Sequence, residues 1–212
     1  DKSLKKAPLP GPSFLVCRFC GIVAPMMTRQ GTYQQKAWQV LLSLVLIVAA
    51  VAKIDAGAPR DPSEYFFQDS FGDLAEEAEA AKASGLVGVM IMFETADCPW
   101  CRRMKETVLN NTEVQRYYRR YFRVLALNAE GDAPMSDFQG KDMTEKEFAL
   151  EAHRVRATPL FAFFDTRGRL LLKYTGTTRN AQEFLWLGEF VVDGHYLNER
   201  FSQYKRRRLA AG

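Results

Sequence analysis

The chain has 212 residues, of which 47% are hydrophobic and 25% are charged, a composition typical of a globular protein with one good core. Six of its 29 Lys and Arg residues precede residue 53, but only one of its 25 acidic residues does, so the remainder is close to neutral. The net charge of +4 therefore does not indicate nucleic-acid binding, and we expect none. A basic run at residues 205–208 is interpreted as a solvated tail.

Residues 40–52 form an apolar run that is short for a membrane span and typical of a signal-peptide core. Arg29 and Lys36 supply a positive flank, and Ala50-Val51-Ala52 resembles a cleavage site. We therefore predict a signal peptide over residues 26–52, preceded by a non-native or disordered leader over residues 1–25. The alternative is an uncleaved N-terminal anchor. Both interpretations place the predicted domain, residues 53–212, outside the cytoplasm.

A closely spaced cysteine pair lies between a strand-like apolar segment and a helix-like segment. Cys98 and Cys101 are three residues apart, so on the first turn of a helix their side chains share a face and can bond. The positive end of the helix macrodipole favours thiolate over thiol there. Pro99 suits the first helical position, since its missing N–H would have no partner. The pattern is typical of a redox pair.

A zinc site would need the two other cysteines, Cys17 and Cys20, as additional ligands. We consider it the weaker alternative, because the intervening chain far exceeds the usual ligand spacing and the signal peptide would separate the two pairs. We expect no metal and no cofactor. His153 and His195 are isolated in the sequence and are expected at the surface or at helix caps.

Hydrophobic periodicity and helix caps predict alternating elements over the rest of the chain, with capping boxes expected at Thr112–Gln115 and Thr144–Glu147. Residues 61–71 form a lead-in, with Tyr65, Phe66 and Phe71 packing on the domain, and residues 129–143 form a long polar loop that is either functional or mobile. A parallel β-α-β unit is followed by an antiparallel hairpin. The pattern predicts helices at about 73–84, 102–109, 112–121, 144–153 and 180–191 with a last helix through 201–204, and strands at about 86–93, 122–128, 160–164 and 169–174.

This order of elements, together with the Cys-x-x-Cys pair and the later Thr158-Pro159 before an apolar strand, resembles the thioredoxin superfamily over about residues 62–205. The resemblance implies a thioredoxin-like α/β fold, with a central mixed sheet flanked by helices. It also implies that Pro159 is cis and lies against the cysteines, although only about 5–6% of X–Pro bonds are cis in folded proteins.

Within the superfamily, the sequence looks most similar to periplasmic thioredoxin-like proteins that accompany bacterial sulfur oxidation. The residues that carry this likeness include Phe93-Glu94 ahead of the first cysteine and Cys98-Pro99-Trp100-Cys101 itself. It departs from ordinary cytosolic thioredoxin in having proline first between the cysteines, Asp97 before them, and Met92 where a buried aspartate is expected. We therefore take Glu94 as the candidate proton acceptor.

The predicted function is thiol–disulfide exchange with disulfide-containing periplasmic proteins, with Cys98 as the attacking thiolate and Cys101 as the resolving thiol. Trp100, Pro99, Thr158 and Pro159 are the candidate partner-binding residues. The resemblance favours a monomeric reductant supplied by a membrane electron donor. The alternatives are a disulfide oxidant or isomerase, and a non-catalytic binding module on the same scaffold.

Overall fold

The computed structural model describes residues 58–211, so the predicted leader, the signal peptide, Cys17 and Cys20 lie outside the described residues. Seven α-helices run in chain order within residues 58–211 as α1 to α7: Pro62–Tyr65, Leu74–Ala83, Pro99–Met104, Thr112–Tyr121, Glu145–Glu147, Ala181–Val192 and Phe201–Ala211. Six strands run as β1 to β6: Gly88–Glu94, Phe122–Asn128, Pro134–Ser136, Asp142–Thr144, Leu160–Asp165 and Leu170–Thr175. None of the helices in this range is both long enough and apolar enough to span a membrane.

Four of the strands form a mixed sheet in the order β2-β1-β5-β6. Strand β1 pairs in parallel with β2, from Gly88 opposite Phe122 to Glu94 opposite Asn128. It pairs antiparallel with β5, and β5 continues antiparallel into β6. The predicted fold class, a parallel β-α-β unit followed by an antiparallel hairpin, is confirmed.

Both faces of the central strand β1 are covered, because its residues alternate between two hydrophobic clusters. Met90 and Met92 belong to a cluster that also contains both cysteines of the pair and side chains of α3, α4 and α6. Residues Val89, Ile91 and Phe93 belong to the opposite cluster, which α2 helps to cover. The cysteine pair therefore packs on the first of these two layers, beyond the carboxyl end of a strand whose residues 88–93 are buried.

The helix after the cysteine pair differs from the prediction. A single helix was expected to about residue 109, but α3 ends at Met104 and the chain continues as a π-helical turn over Lys105–Leu109. Here the Thr107 hydroxyl donates a 2.8 Å hydrogen bond to the carbonyl of Arg103, one turn earlier. Such a bond competes with regular helix pairing and bends helices.

The start of α4 also corrects a prediction. Thr112 was expected to cap this helix in a box with Gln115, but the cap is Asn111, whose side chain accepts from the backbone N–H groups of Glu113 and Val114. Gln115 is turned inward instead and is only 4% exposed. The capping box predicted at the start of α5 is present, formed by Thr144 and Glu147.

The segment 129–143 is not an irregular loop, because it contains the two short strands β3 and β4, which pair antiparallel with each other. Ser136 donates a 2.8 Å backbone hydrogen bond to Gly72, which attaches this hairpin to the lead-in. In the lead-in, Phe66 is buried as predicted, but Phe71 is fully exposed, so its expected packing is wrong. Tyr65 is 38% exposed.

The basic run at residues 205–208 belongs to α7 and is not a tail. Lys205 pairs with Glu183 at 2.8 Å, and Arg208 pairs with Glu189 at 2.7 Å, both acids lying on α6. Arg207 pairs with Glu199. Three of the four basic side chains thus form ion pairs within the domain, and two of these pairs connect α7 to α6.

His153 is the C-cap residue of the π-helical turn Phe148–Ala152, one of the two kinds of position expected for it, and its ring lies half-buried among aromatic rings. Its ring centroid is 4.4 Å from that of Phe148 and 5.1 Å from that of Phe164. Burial, with a smaller contribution from the charge of Lys173, lowers the pKa of His153 to about 4. The imidazole is therefore neutral in the folded protein at pH 7.

This pKa shift predicts a pH-dependent stability. Because the folded pKa lies below the unfolded value of about 6.5, the unfolded chain takes up a proton first. The contribution of His153 is fully present above about pH 6.5 and is lost as the pH falls toward 4. Allowing for partial solvent exposure, we expect a loss of about 1–2 kcal/mol between these limits. Urea unfolding at several pH values should show a correspondingly weaker pH dependence for His153→Leu; an unchanged dependence would contradict the assignment.

Candidate active site

The cysteine pair caps the N-terminus of α3. Cys98 is the N-cap residue, and its Sγ accepts a 3.0 Å hydrogen bond from the backbone N–H of Cys101. The two residues form a disulfide, with their Cα atoms 5.2 Å apart. Cys98 is 7% exposed and Cys101 is 2% exposed, so the first cysteine is the more accessible one, as predicted. A sulfur held at this cap would be stabilised as a thiolate by the helix N-terminus.

The cysteine pair packs against buried apolar side chains toward the core, and the residues between the two cysteines are exposed to solvent. Met92 and Met104 are fully buried in the cluster that contains both cysteines. Met92 occupies the position where the resemblance to cytosolic thioredoxin would place a buried aspartate. Pro99 and Trp100 are exposed, with 55% of Trp100 accessible to solvent. The structure therefore presents a large aromatic side chain beside Cys98 and leaves no carboxyl at position 92.

The Thr158–Pro159 peptide bond is cis, as the resemblance implies. Strand register brings this segment near the cysteines, since Phe93 at the end of β1 pairs with Leu160 at the start of β5. Pro159 is buried, and its carbonyl accepts a 2.8 Å hydrogen bond from Gly176.

A cleft of about 620 Å³ is lined by Thr95, which precedes the cysteine pair in the chain, and by Thr158, which precedes the cis-proline. Thr95, whose carbonyl accepts the N–H of Cys98 at 3.2 Å, lines it on one side, and Thr158 lines it on the other. Leu150, Glu130 and Arg156 complete a mixed apolar and charged wall. These three residues were not predicted from the sequence, because no local pattern connects them.

Glu94 ends β1 on the same face as Met92, toward the helix that carries the cysteines. Its Oε1 accepts a 2.7 Å hydrogen bond from Lys105 Nζ, an ion pair with side chains 21% and 29% exposed. The pairing of Lys105 with Glu94 was not predicted, because the two residues belong to different elements and no local sequence pattern connects them. The carboxyl is partly desolvated, as a proton acceptor requires; its role remains a prediction.

Cys17 and Cys20, which the zinc alternative needs, lie outside the described residues, and the other two cysteines it would use are joined to each other in a disulfide. Within residues 58–211 there is also no cluster of three or more His, Cys, Asp or Glu side chains placed to hold a metal ion. The chemistry available to the site is that of a dithiol–disulfide couple.

A mixed sheet with a Cys-x-x-Cys pair at a helix N-terminus and a cis-proline before the neighbouring strand defines a thioredoxin-fold protein with a redox-type cysteine pair. The profile of the family described as Thioredoxin-like domain matches residues 74–191, more than half of the chain. The chain belongs to this family.

Solved structures of the same fold are more distant. A thioredoxin-fold protein from Helicobacter pylori is 22% identical, covering 58% of this chain and 80% of its own, with a TM-score of 0.45. A thioredoxin from Thermus thermophilus is 23% identical, covering 60% of this chain and 88% of its own, with a TM-score of 0.47. The C-terminal domain of Neisseria meningitidis DsbD is 19% identical, covering 55% of this chain and 91% of its own, with a TM-score of 0.42. No curated protein sequence matches the chain. The assignment rests on the family profile.

Proposed function

We propose that this protein is a periplasmic thiol:disulfide oxidoreductase that reduces disulfides in partner proteins through Cys98 and Cys101. The observation that carries the proposal is the bonded pair at the N-terminus of α3, in which Cys98 Sγ accepts the N–H of Cys101. The predicted signal peptide supports export. The sequence likeness to proteins that accompany bacterial sulfur oxidation supports that subgroup and a membrane electron donor.

The reaction proceeds in two exchanges. In the dithiol state, the Cys98 thiolate attacks one sulfur of a partner disulfide, forming a mixed disulfide and releasing the other partner sulfur as thiolate. Cys101 then loses its proton and attacks Cys98 Sγ, which regenerates the Cys98–Cys101 disulfide and releases the second partner thiolate. Two electrons pass to the partner, and the released thiolates take up protons. An external dithiol donor must reduce the pair again.

We assign proton removal from Cys101 to Glu94. It is the carboxyl at the end of β1 on the face toward α3, and its partner Lys105 holds it in a fixed position. Trp100, with Pro99 beside it, offers an exposed apolar surface to the partner, while Thr158, which precedes the cis Pro159, lines the cleft that also includes Thr95. The bound partner segment would lie between these two surfaces.

Replacing Cys101 with serine should trap the mixed disulfide, because Cys98 remains able to attack but nothing resolves the adduct. We expect the reduced variant to form a covalent complex with a disulfide-bearing protein such as insulin, visible on a non-reducing gel and released by dithiothreitol. The matched control is Cys98→Ser/Cys101→Ser. No adduct from Cys101→Ser would favour a binding module, whereas an adduct from Cys98→Ser alone would reverse the two roles.

The direction of electron flow is tested separately by a redox titration of the pair against glutathione. Potentials of such pairs span about −270 to −120 mV, which is about 7 kcal/mol for two electrons. A reductant should give a value toward the negative end of this range. A value near −120 mV would instead support the oxidant alternative.

A further inference from the structure

A second cleft, of about 400 Å³, is lined by a concentration of arginines. Arg116, Arg119 and Arg120 project from α4, and Arg60 comes from the segment before α1. Among the described residues that line it there is no carboxylate. The fold brings these guanidinium groups together from segments more than fifty positions apart in the chain.

The three arginines of α4 are not neutralised within residues 58–211. None of them has a carboxylate within 4 Å there, whereas Arg123, just after them, pairs with Glu77. Arg116 and Arg120 are four residues apart on one helix, where like charges repel. This repulsion destabilises an exposed helix by about 0.2–0.5 kcal/mol, and a bound anion would relieve it.

The walls of this arginine cleft are fixed by buried hydrogen bonds. Gln115, 4% exposed, donates from its side-chain amide to the carbonyls of Arg60 at 3.0 Å and Leu109 at 2.9 Å. The backbone N–H of Arg60 donates to Asn110 at 2.9 Å. These bonds tie the segment before α1 to the start of α4, so the cleft is formed before any ligand arrives.

Two arginines are further oriented by Tyr65. Arg119 Nη1 donates to the Tyr65 carbonyl at 3.2 Å, which leaves its other N–H groups available. The Arg60 guanidinium lies over the Tyr65 ring, 5.3 Å from its centroid. A guanidinium oriented in this way is suited to bidentate binding of a tetrahedral oxyanion.

We propose that the arginine cleft is a binding site for a multiply charged phosphate group. Several guanidinium groups around one cleft match an anion with more than one negative charge better than a single carboxylate. The phosphate can belong to a soluble molecule or to the headgroup of an anionic lipid. The site uses no residue of the Cys98–Cys101 pair and is independent of the proposed exchange reaction.

The test uses inorganic pyrophosphate and vesicles as two probes of the protein. Calorimetric titration with pyrophosphate, and sedimentation with phosphatidic acid vesicles against phosphatidylcholine vesicles, distinguish a soluble from a lipid phosphate. If one of the probes binds, Arg116→Gln/Arg119→Gln/Arg120→Gln should raise its Kd by at least about tenfold. It should also reduce the salt dependence, while leaving the rate of thiol exchange unchanged.

The matched control removes the same charge from exposed arginines outside the cleft, as Arg167→Gln/Arg179→Gln/Arg206→Gln. It should bind like the unmodified protein. The proposal is overturned if neither probe binds, or if the control loses as much affinity as the cleft variant. Should the triple variant not fold, Arg116→Gln alone serves, since the Arg116 side chain makes no hydrogen bond within residues 58–211.

Discussion

Replacing Cys98 with serine is expected to reduce the rate of disulfide reduction by at least about a thousandfold, because a hydroxyl cannot act as the attacking thiolate. The fold should persist, since serine oxygen is a good N-cap acceptor for the Cys101 N–H that Cys98 Sγ now accepts. The measurement is reduction of insulin with a dithiol donor present, followed against circular dichroism as a check on folding.

Cys98→Ala provides the matched control for this prediction. It removes both the nucleophile and the cap acceptor, so it should lose the same activity as the serine variant and additionally lose about 1 kcal/mol of stability. Retention of substantial exchange activity by either variant would show that Cys98 is not the attacking residue. The proposed reaction would then have to be abandoned.

Replacing Gly88 with alanine is expected to destabilise the folded protein by about 3 kcal/mol or more. Gly88 begins β1 between two strands, opposite Phe122 on one side and Asp165 on the other. A Cβ at this position would lie 1.9 Å from the carbonyl oxygen of Phe164 and 2.9 Å from the Cα of Asp165. Both are backbone atoms of β5, so no side chain can move aside and the strands themselves must separate.

Thermal and urea unfolding of oxidised Gly88→Ala measure this effect, which corresponds to a fall in melting temperature of about 6–12 °C. Gly140→Ala is the control, because a Cβ there meets nothing within 4 Å. This variant should be destabilised only by its positive φ of 74°, which costs a residue with a Cβ about 1–2 kcal/mol. Equal destabilisation of the two variants would show that the close approach of β1 to β5 is not what requires glycine at position 88.

The features that the sequence predicted correctly depend on residues close together in the chain. The spacing of Cys98 and Cys101 places both sulfurs on one helical turn, whatever the rest of the molecule does. The Thr144–Glu147 capping box likewise depends on positions three apart. The run of apolar residues in β1 predicted a buried central strand, because only a strand covered on both faces can be apolar throughout.

Predictions from local sequence patterns were wrong where two local structures were both possible. Asn111 and Thr112 are both good cap residues, and the choice fell to Asn111 because burial of Gln115 against the carbonyls of Arg60 and Leu109 removed it from the predicted box. The expected packing of Phe71 failed for a related reason. An aromatic residue in a lead-in segment can face the domain or solvent, and neither choice has a periodic signature.

By itself, then, the sequence determined the main helices and strands and the cysteine pair, because short-range geometry and hydrophobic periodicity govern them, while the cis Thr158–Pro159 bond was implied by the resemblance. Only the tertiary structure decided the Glu94–Lys105 ion pair, the half-buried position of the His153 ring and the arginine cleft. Each of these joins residues separated by several elements, and their proximity is fixed by the packing of helices on the sheet.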